Sequence, residues 1–385
     1  MRFVLLLALA VLPFACSQQA QDKPEQQPAV TEKPQEGLPE LALFLGGKHP
    51  EDTTRLGKLV KTPQYKAYKA KISEIWQTYS KDFSVPLAEW RDQNVPIIKS
   101  NVIFYPFAGP DFPNANTLYP GGQTYIMVGL EPAGKVPDFA SMADRRVLED
   151  LNRIVASVDY VARRTYFITS FMNSSYISSD GVGPILLVYL AMLDYVPYSM
   201  KPVDVDEEGR IRYLTAEDLA QYKKDKRAHS IEIRFQAAVG QPLKTIYYFK
   251  KDVENPALKK DPRLLKFLEG IPRFASVFKA ASYLPHYESF SAVTGVVLDR
   301  SEVIVMDDTG PMLNKLDNFD VRVYGHYGRP IYPFQRSYQP DLAALFRQEK
   351  PAPLKFRYGY GAADGSRGIL LAMRRPPAES VPEKP

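Results

Sequence analysis

Residues 101–132 of the chain read NVIFYPFAGPDFPNANTLYPGGQTYIMVGLEP and predict two β-strands joined by a polar loop. Residues 102–107 and 125–130 are rich in β-branched and aromatic side chains and are bounded by turn-forming residues. Three polar side chains lie in the loop just beyond the first strand, namely Asp111, Asn114 and Asn116. Because functional residues collect at strand ends in open sheets, this stretch is the first candidate for a site.

The flanking sequence alternates between helical and strand patterns. Apolar residues spaced three and four apart predict helices at 63–79, 139–158, 262–269, 273–283 and 287–298. Residues 183–194 are apolar on every side, which predicts a buried helix. Strands are predicted at 230–236 and 243–250, as a hairpin, and at 302–306, 319–324, 355–360 and 368–374. The mixture predicts one large α/β or α+β domain with a mixed central β-sheet flanked by helices.

The N-terminus has the layout of a secretory signal. Arg2 precedes an apolar run at residues 3–14, and Cys16, the only cysteine in the chain, follows that run. The run is too short to be a permanent membrane span. The segment resembles a bacterial lipobox, with Ala15 matching its pattern. Residues 1–16 are therefore predicted to be a lipoprotein-type signal peptide that leaves Cys16 as the lipid-modified first residue. Ordinary cleavage nearby is the alternative.

Two segments lack the apolar content that a folded core requires. Residues 17–40 are rich in Gln, Glu, Pro and Lys, and residues 375–385 have a similar composition. We therefore predict a disordered tether and a disordered tail on either side of one globular domain at 41–374. Together with Cys16, this layout predicts a lipoprotein anchored in a membrane of the bacterial cell envelope, facing the periplasm or the exterior.

The charge pattern excludes nucleic acid as a partner. The formal net charge is only +5, and Lys and Arg are interspersed with Asp and Glu, so no concentrated basic footprint is visible. The densest basic run, at residues 58–81, falls on a predicted helix. It is either a solvated helix face or a surface that contacts anionic lipid headgroups.

Asp307 and Asp308 directly follow a predicted buried strand, where carboxylates can transfer protons or activate water. A plain turn is the alternative, because Asp-Thr-Gly is good turn-forming sequence. Asp308, Thr309 and Gly310 also match the short signature of the aspartic proteases. No second copy of that signature supplies the paired carboxylate that their mechanism requires.

His286 is the best candidate for a general base among the four histidines, and a structural histidine is the alternative. No two histidines have metal-ligand spacing, so no metal site is predicted. The glycine pattern of dinucleotide-binding folds is missing, and no cofactor is predicted. The last third of the chain is dense in aromatic residues, and an exposed one such as Tyr327 can stack on a sugar ring, which makes a glycan a possible ligand.

The strings FYPFAGPDF, MVGLEP, ASYLPHYESF and IVMDDTGP resemble those of an uncharacterised group of bacterial secreted proteins and lipoproteins with YPFxGPD and DDxG runs. The resemblance covers about a fifth of the chain. It implies a location in the bacterial envelope and no particular activity.

Three functions follow as hypotheses. The first is a lipid-anchored domain that binds a small molecule or glycan through the loop of residues 101–132. The second is a hydrolase that uses Asp111, His286 and either Asp307 or Asp308. The third is a structural or assembly lipoprotein. The first two predict that the loop side chains face His286 and the two aspartates across one cleft.

Replacement Cys16→Ala removes the predicted acylation site and is expected to release the protein from the membrane fraction or to leave unprocessed precursor. Fractionation and the mass of the protein measure both. Unchanged membrane attachment without precursor accumulation would show that Cys16 is not the anchor.

Overall fold

The computed structural model describes residues 33–139, 141–164, 181–332, 334–361, 364–365 and 367–376. The strands within these ranges are β1 (Val102–Tyr105), β2 (Thr124–Gly129), β3 (Val196–Val205), β4 (Ile211–Tyr213), β5 (Ser230–Gln236), β6 (Lys244–Lys250), β7 (Phe274–Phe278), β8 (Ser301–Met306), β9 (Phe319–Gly325) and β10 (Gly368–Arg374). They form one 10-stranded sheet in the order β4-β3-β5-β6-β2-β1-β7-β8-β10-β9.

The middle of the sheet is parallel and its two sides are antiparallel. Strands β6, β2, β1, β7 and β8 run in one direction, and the pairs outside this block are antiparallel. The chain passes from β1 to β2 on one side and from β7 to β8 on the other. The winding therefore reverses between β1 and β7, and in open sheets such a switch point opens a crevice at the carboxyl ends of the strands.

Helices cover both faces of the sheet. In chain order they are α1 (Leu38–Leu45), α2 (Arg55–Val60), α3 (Pro63–Tyr79), α4 (Val85–Asn94), α5 (Phe112–Leu118), α6 (Asp144–Arg164), α7 (Gly183–Met192), α8 (Ala216–Lys224), α9 (Asn255–Lys260), α10 (Arg263–Glu269), α11 (Ser291–Arg300) and α12 (Pro340–Glu349). Helices α1 to α7 share a hydrophobic core with one face, and α9 to α12 share a second core with the other. The predicted α/β domain with a mixed central sheet is confirmed. No helix in the described ranges is long and apolar enough to cross a membrane.

Local sequence explains the best-defined helices. Thr62 caps α3 by accepting a hydrogen bond from the Tyr65 N–H, and Pro63 occupies the first helical position. Thr215 and Asp218 form a reciprocal capping box at the start of α8. Every residue of α7 is buried, as its uniformly apolar sequence predicts.

Residues 101–132 form the predicted strands, but the segment between them is not a loop. It contains α5, all of whose residues are buried, and it connects β1 to the parallel strand β2. Asn114 and Asn116 therefore lie on a buried helix. Neighbouring parallel strands need such a crossover connection. The sequence does not predict helix α5, because the helix is short and partly polar.

Two predicted elements have the wrong type. The helix predicted at 273–283 is strand β7 followed by a loop, because a strand buried on both faces shows no alternation and resembles a buried helix in sequence. The strand predicted at 355–360 is irregular chain. Its alternating pattern arises because Phe356 and Tyr358 pack into the hydrophobic core without pairing to the sheet.

The chain contacts the domain a few residues beyond both of its predicted ends. The domain reaches upstream of residue 41, since the Gln35 N–H donates to the Tyr198 carbonyl at 2.8 Å and Leu38 is buried in α1. At the other end the Arg375 N–H donates to the Asn318 carbonyl at 3.0 Å, so residue 375 also contacts the domain. Cys16 and the rest of the predicted signal lie outside the described residues.

Candidate functional site

Three loops at the carboxyl edge of the sheet bring charged side chains to the switch point between β1 and β7. Asp111 lies in the segment after β1, Lys279 directly follows β7, and Asp307 directly follows β8. All three side chains are buried. Buried charges are rare unless they are paired, so their meeting at this edge marks it as the candidate site.

Lys279 and Asp111 form an ion pair in the protein interior. Lys279 Nζ lies 2.6 Å from Asp111 Oδ2, and both side chains are almost fully excluded from solvent. The ring of Phe83 lies beside the ammonium, with its centre 4.9 Å from Nζ. Phe83 belongs to a π-helical turn, Ser80–Ser84, which joins α3 to α4. Such turns frequently occur at functional sites.

Burial and two polar partners act in opposite directions on the pKa of Asp111. The Tyr105 hydroxyl donates to Asp111 Oδ2 at 3.1 Å. Burial raises the pKa of Asp111, whereas the charge of Lys279 and the hydrogen bonds from Lys279 and Tyr105 act in the opposite direction. Lys279 is therefore the largest influence that favours the ionised form of Asp111, and burial outweighs it.

A cluster of polar side chains surrounds the ion pair. Several of its buried atoms have no hydrogen-bond partner among the described residues, namely Asp111 Oδ1, Asn114 Oδ1 and the hydroxyls of Tyr79, Tyr189 and Tyr358. Burial, followed by the charge of Asp111, raises the pKa of Tyr79, Tyr105 and Tyr189. An unpaired buried polar atom costs about 1–3 kcal/mol, so packing alone does not explain this concentration.

Asp307 holds the loop that follows β7. Its carboxylate accepts hydrogen bonds from the Ala280 N–H at 2.9 Å, from the Thr309 N–H at 3.1 Å and from the Thr309 hydroxyl. Burial raises its pKa although these hydrogen bonds oppose the shift. Gly359 packs so closely that a Cβ there would lie 1.7 Å from Asp307 Oδ2, which excludes any side chain at that position.

The loop after β7 has a strained backbone. Ala280, Ser282 and Tyr283 have φ angles of 53°, 52° and 56°, in the left-handed region that residues with a Cβ avoid. Each such residue costs about 1–2 kcal/mol. The Ala280 and Ala281 amides are held by Asp307 and by Thr309 Oγ1. Strain of this kind concentrates at functional sites, where the surrounding structure enforces it.

Asp308 and His286 lie together on the outer side of this loop. The Tyr283 hydroxyl donates to Asp308 Oδ2 at 2.6 Å, and the Tyr283 ring meets the His286 ring edge-on at 5.2 Å. Burial and the charge of Asp307 raise the pKa of Asp308 to about 7. Burial lowers the pKa of His286. His286 Nε2 lies 2.9 Å from the Gly310 carbonyl, which can only accept, so Nε2 carries the hydrogen of the neutral ring.

The other predicted site residues are dispersed. Asn114 Nδ2 lies 3.5 Å from the Tyr105 hydroxyl and belongs to the cluster around Asp111. Asn116 instead accepts from Tyr125 and Tyr195, at 3.4 and 3.0 Å, and serves the packing of α5. The Tyr327 hydroxyl accepts from the Gln339 N–H at 2.9 Å, and its ring stacks on Tyr338, so Tyr327 is held in the structure.

An open groove runs along the same edge of the sheet. It has a volume of about 730 Å³. Its floor includes the strained loop at Ala280, Ala281 and Ser282, together with the ends of β1 and β2. Its apolar side chains include Phe107, Val128, Leu130, Val253, Leu284, Phe290 and Tyr332. None of the predicted site residues lines it, so this groove is not the cleft expected between Asp111 and His286.

The main residue that the sequence analysis missed is Lys279. A single lysine at the end of the apolar run FASVF is the available signal, but the helix predicted there hid the strand end. In the described residues no group of three or more His, Cys, Asp or Glu side chains is placed to hold a metal ion. The arrangement supports ligand binding in the groove and proton transfer at Asp308.

Comparison with known proteins adds no relative. No protein-family model matches the chain, and neither a curated protein nor a solved structure is similar enough to count as a match.

Replacement Lys279→Met is expected to destabilise the protein by about 3–5 kcal/mol near pH 8, because it leaves Asp111 buried without a counter-charge. At pH 5 the loss of stability should be smaller. Without Lys279 the pKa of Asp111 rises further, so the buried carboxyl of the variant becomes protonated and loses its unpaired charge. Denaturant unfolding measures both values. The exposed control Lys259→Met should change stability by less than about 0.5 kcal/mol.

The double variant Lys279→Met/Asp111→Asn tests the cause. It removes both charges and should recover most of the lost stability. If the double variant is as unstable as the single one, the effect comes from packing and not from the unpaired charge.

Proposed function

We propose that this protein is a lipid-anchored component of the bacterial cell envelope that binds a small, largely apolar molecule in the groove at the carboxyl edge of its sheet. The observation that carries the proposal is the groove itself, at the switch point of an α/β sheet. Its volume of about 730 Å³ lies within the range of small-molecule sites.

The lining defines the kind of ligand. Aromatic and aliphatic side chains from both sides of the switch point form most of the wall, so burial of apolar ligand surface would supply the binding free energy. Ser282 Oγ and the Tyr360 hydroxyl lie 3.0 Å apart at the groove and offer a polar contact. Lys251, Asp252 and Glu254 add charge at the side. These features fit an apolar molecule with one polar group.

The envelope location rests on the sequence. Cys16 and the composition of residues 17–32 support the anchor, and the resemblance to secreted bacterial proteins supports the compartment. A glycan ligand has support from Tyr332, which is 84% exposed at the groove and can stack on a sugar ring. A purely structural lipoprotein would not need a groove of this size.

Replacement Leu130→Glu places a charge on the apolar wall and is expected to weaken binding of the neutral probe N-phenyl-1-naphthylamine by about tenfold or more. The experiment uses mature chain with Cys16→Ser and follows probe fluorescence. The control Val239→Glu puts the same charge at a residue that is 83% exposed and outside the groove. Equal affinities for the two variants, or no binding by the parent, would contradict the proposal.

Hydrolysis by Asp308 and His286 is a second candidate function. The observation that favours it is the pKa of Asp308, raised to about 7 by burial and by Asp307, which suits proton transfer at neutral pH. Asp111 has no direct part in this version because it is paired with Lys279 in the interior. Neutral His286 retains Nδ1 as a base, since Nε2 donates to Gly310.

If this second function is correct, the protein should hydrolyse p-nitrophenyl acetate with a rate that changes around pH 7. Replacement Asp308→Asn should lower the rate by a factor of about 100 or more and abolish that inflection. Exposed Asp317→Asn serves as the control. A parent rate equal to that of buffer, or equal rates for the two variants, would eliminate Asp308 as a catalytic group for this class of ester.

A further inference from the structure

A second pocket lies between β3, α8 and the residues that follow β2. Its volume is about 610 Å³. The described residues that line it are Gly134, Lys135, Val136, Met200, Lys201, Pro202, Leu219, Tyr222, Lys223, Arg227, His229 and Ile231. None of them lines the groove, so the two cavities have separate walls.

The charged side chains among the described residues of this pocket all have the same sign. Its lining includes the basic side chains Lys135, Lys201, Lys223, Arg227 and His229 and, among the described residues, no acidic side chain. This is a local concentration in a chain whose formal net charge is only +5. A cavity lined by one sign of charge concentrates counter-ions of the other sign, so its electrostatics favour an anion.

One carboxylate outside the lining, Asp204, contacts a basic side chain of the pocket. Asp204 lies 3.5 Å from Arg227, but it is also 3.1 Å from Lys251 and 3.2 Å from Arg263. It is buried, does not line the pocket, and accepts a hydrogen bond from the Tyr222 hydroxyl at 2.6 Å. Lys251 and Arg263 also pair with Asp261, so Asp204 offsets part of the Arg227 charge. The described residues of the lining itself contribute no carboxylate.

Two of the basic groups are held in place before any ligand arrives. The Arg227 guanidinium lies 4.2 Å from the centre of the Tyr222 ring and donates to the Tyr222 hydroxyl at 3.1 Å. His229 Nε2 lies 2.9 Å from the Gly134 carbonyl and, since a carbonyl only accepts, donates to it. Arg227 has further N–H groups and is a preorganised donor for an anion, whereas His229 has committed its N–H to Gly134 and contributes a fixed wall. A preorganised donor loses less conformational entropy on binding, which favours a defined anion site over loose counter-ion attraction.

The rest of the wall is apolar. Met200 and Ile231 are buried in it, and Val136, Pro202 and Leu219 extend it. A bare inorganic anion would leave this surface without a partner. The combination of basic rim and apolar wall fits a molecule with an anionic head and a hydrocarbon body.

We propose that this pocket binds the anionic head and adjoining chain of an amphiphile, a phosphate or carboxylate attached to an acyl or alkyl chain. The molecule is either a free monomer or a lipid of the membrane. The inference is independent of the groove, because the two sites share no lining residue.

The test uses the mature chain with Cys16→Ser, which cannot be acylated, and monomeric decyl phosphate as the probe in calorimetric titration. Decyl phosphate should bind at least about tenfold more tightly than inorganic phosphate, because the alkyl chain adds buried apolar surface. Replacement Lys223→Glu should weaken decyl phosphate binding by about tenfold or more. The matched control Lys224→Glu changes the next residue of the same helix, which does not line the pocket, and should stay within about twofold.

A second arm separates the two sources of the ligand. The same proteins are sedimented with vesicles of phosphatidylcholine alone and of phosphatidylcholine with phosphatidylglycerol. Monomer binding that is lost in Lys223→Glu and kept in Lys224→Glu supports a free amphiphile. Binding only to the anionic vesicles, with the same difference between variants, supports a membrane lipid. No binding in either arm, equal losses in both variants, or equal affinity for phosphate and decyl phosphate would overturn the proposal.

Discussion

The buried ion pair of Lys279 and Asp111 is the constraint on which the carboxyl edge depends. Two opposite charges can remain in a protein interior only if they stay together, since separating them leaves each one uncompensated. The pair therefore fixes the end of β7 against the segment that follows β1, across the switch point of the sheet. It also fixes the π-helical turn, whose Phe83 ring packs beside the ammonium. The ion pair therefore holds together elements from three parts of the chain.

The strained loop after β7 connects this interior to the groove. The residue that precedes it, Lys279, belongs to the ion pair, and the Ala280 and Ala281 amides are bound by Asp307 and Thr309. The same alanines form part of the groove floor. The shape of the floor is consequently set by buried charges and hydrogen bonds on its far side. A groove supported in this way presents a defined surface and not one that adapts freely to its ligand.

Sequence patterns predicted the architecture better than the site. The helix at 63–79 and the hairpin at 230–250 are predictable from the periodicity of their sequences. In each element the apolar residues recur at the spacing that places them on one buried face. Strand β7 is not predictable in this way, since a central parallel strand is apolar on both faces and lacks a period of its own. Because a helix is predicted in place of β7, the sequence does not identify Lys279 as a residue at the end of a strand. Asp111 and Asp307 were recognised as strand-end carboxylates, but their burial depends on Gly359 and Tyr105, which only the three-dimensional packing brings to them.

The two edge strands of the sheet affect whether copies of the protein associate with each other. A sheet edge carries unpaired backbone groups that can recruit a strand from a neighbouring molecule. Strand β4 is only three residues long, and its central residue Arg212 is engaged with Asp218. Strand β9 carries Asp320 and Arg322, and Arg375 pairs with Asp320 at 2.7 Å. The short length of β4 and the charged side chains of both strands make the two edges poor templates for edge-to-edge addition. Under the proposed membrane anchoring, many copies on one surface would approach each other closely without aggregating through their sheets.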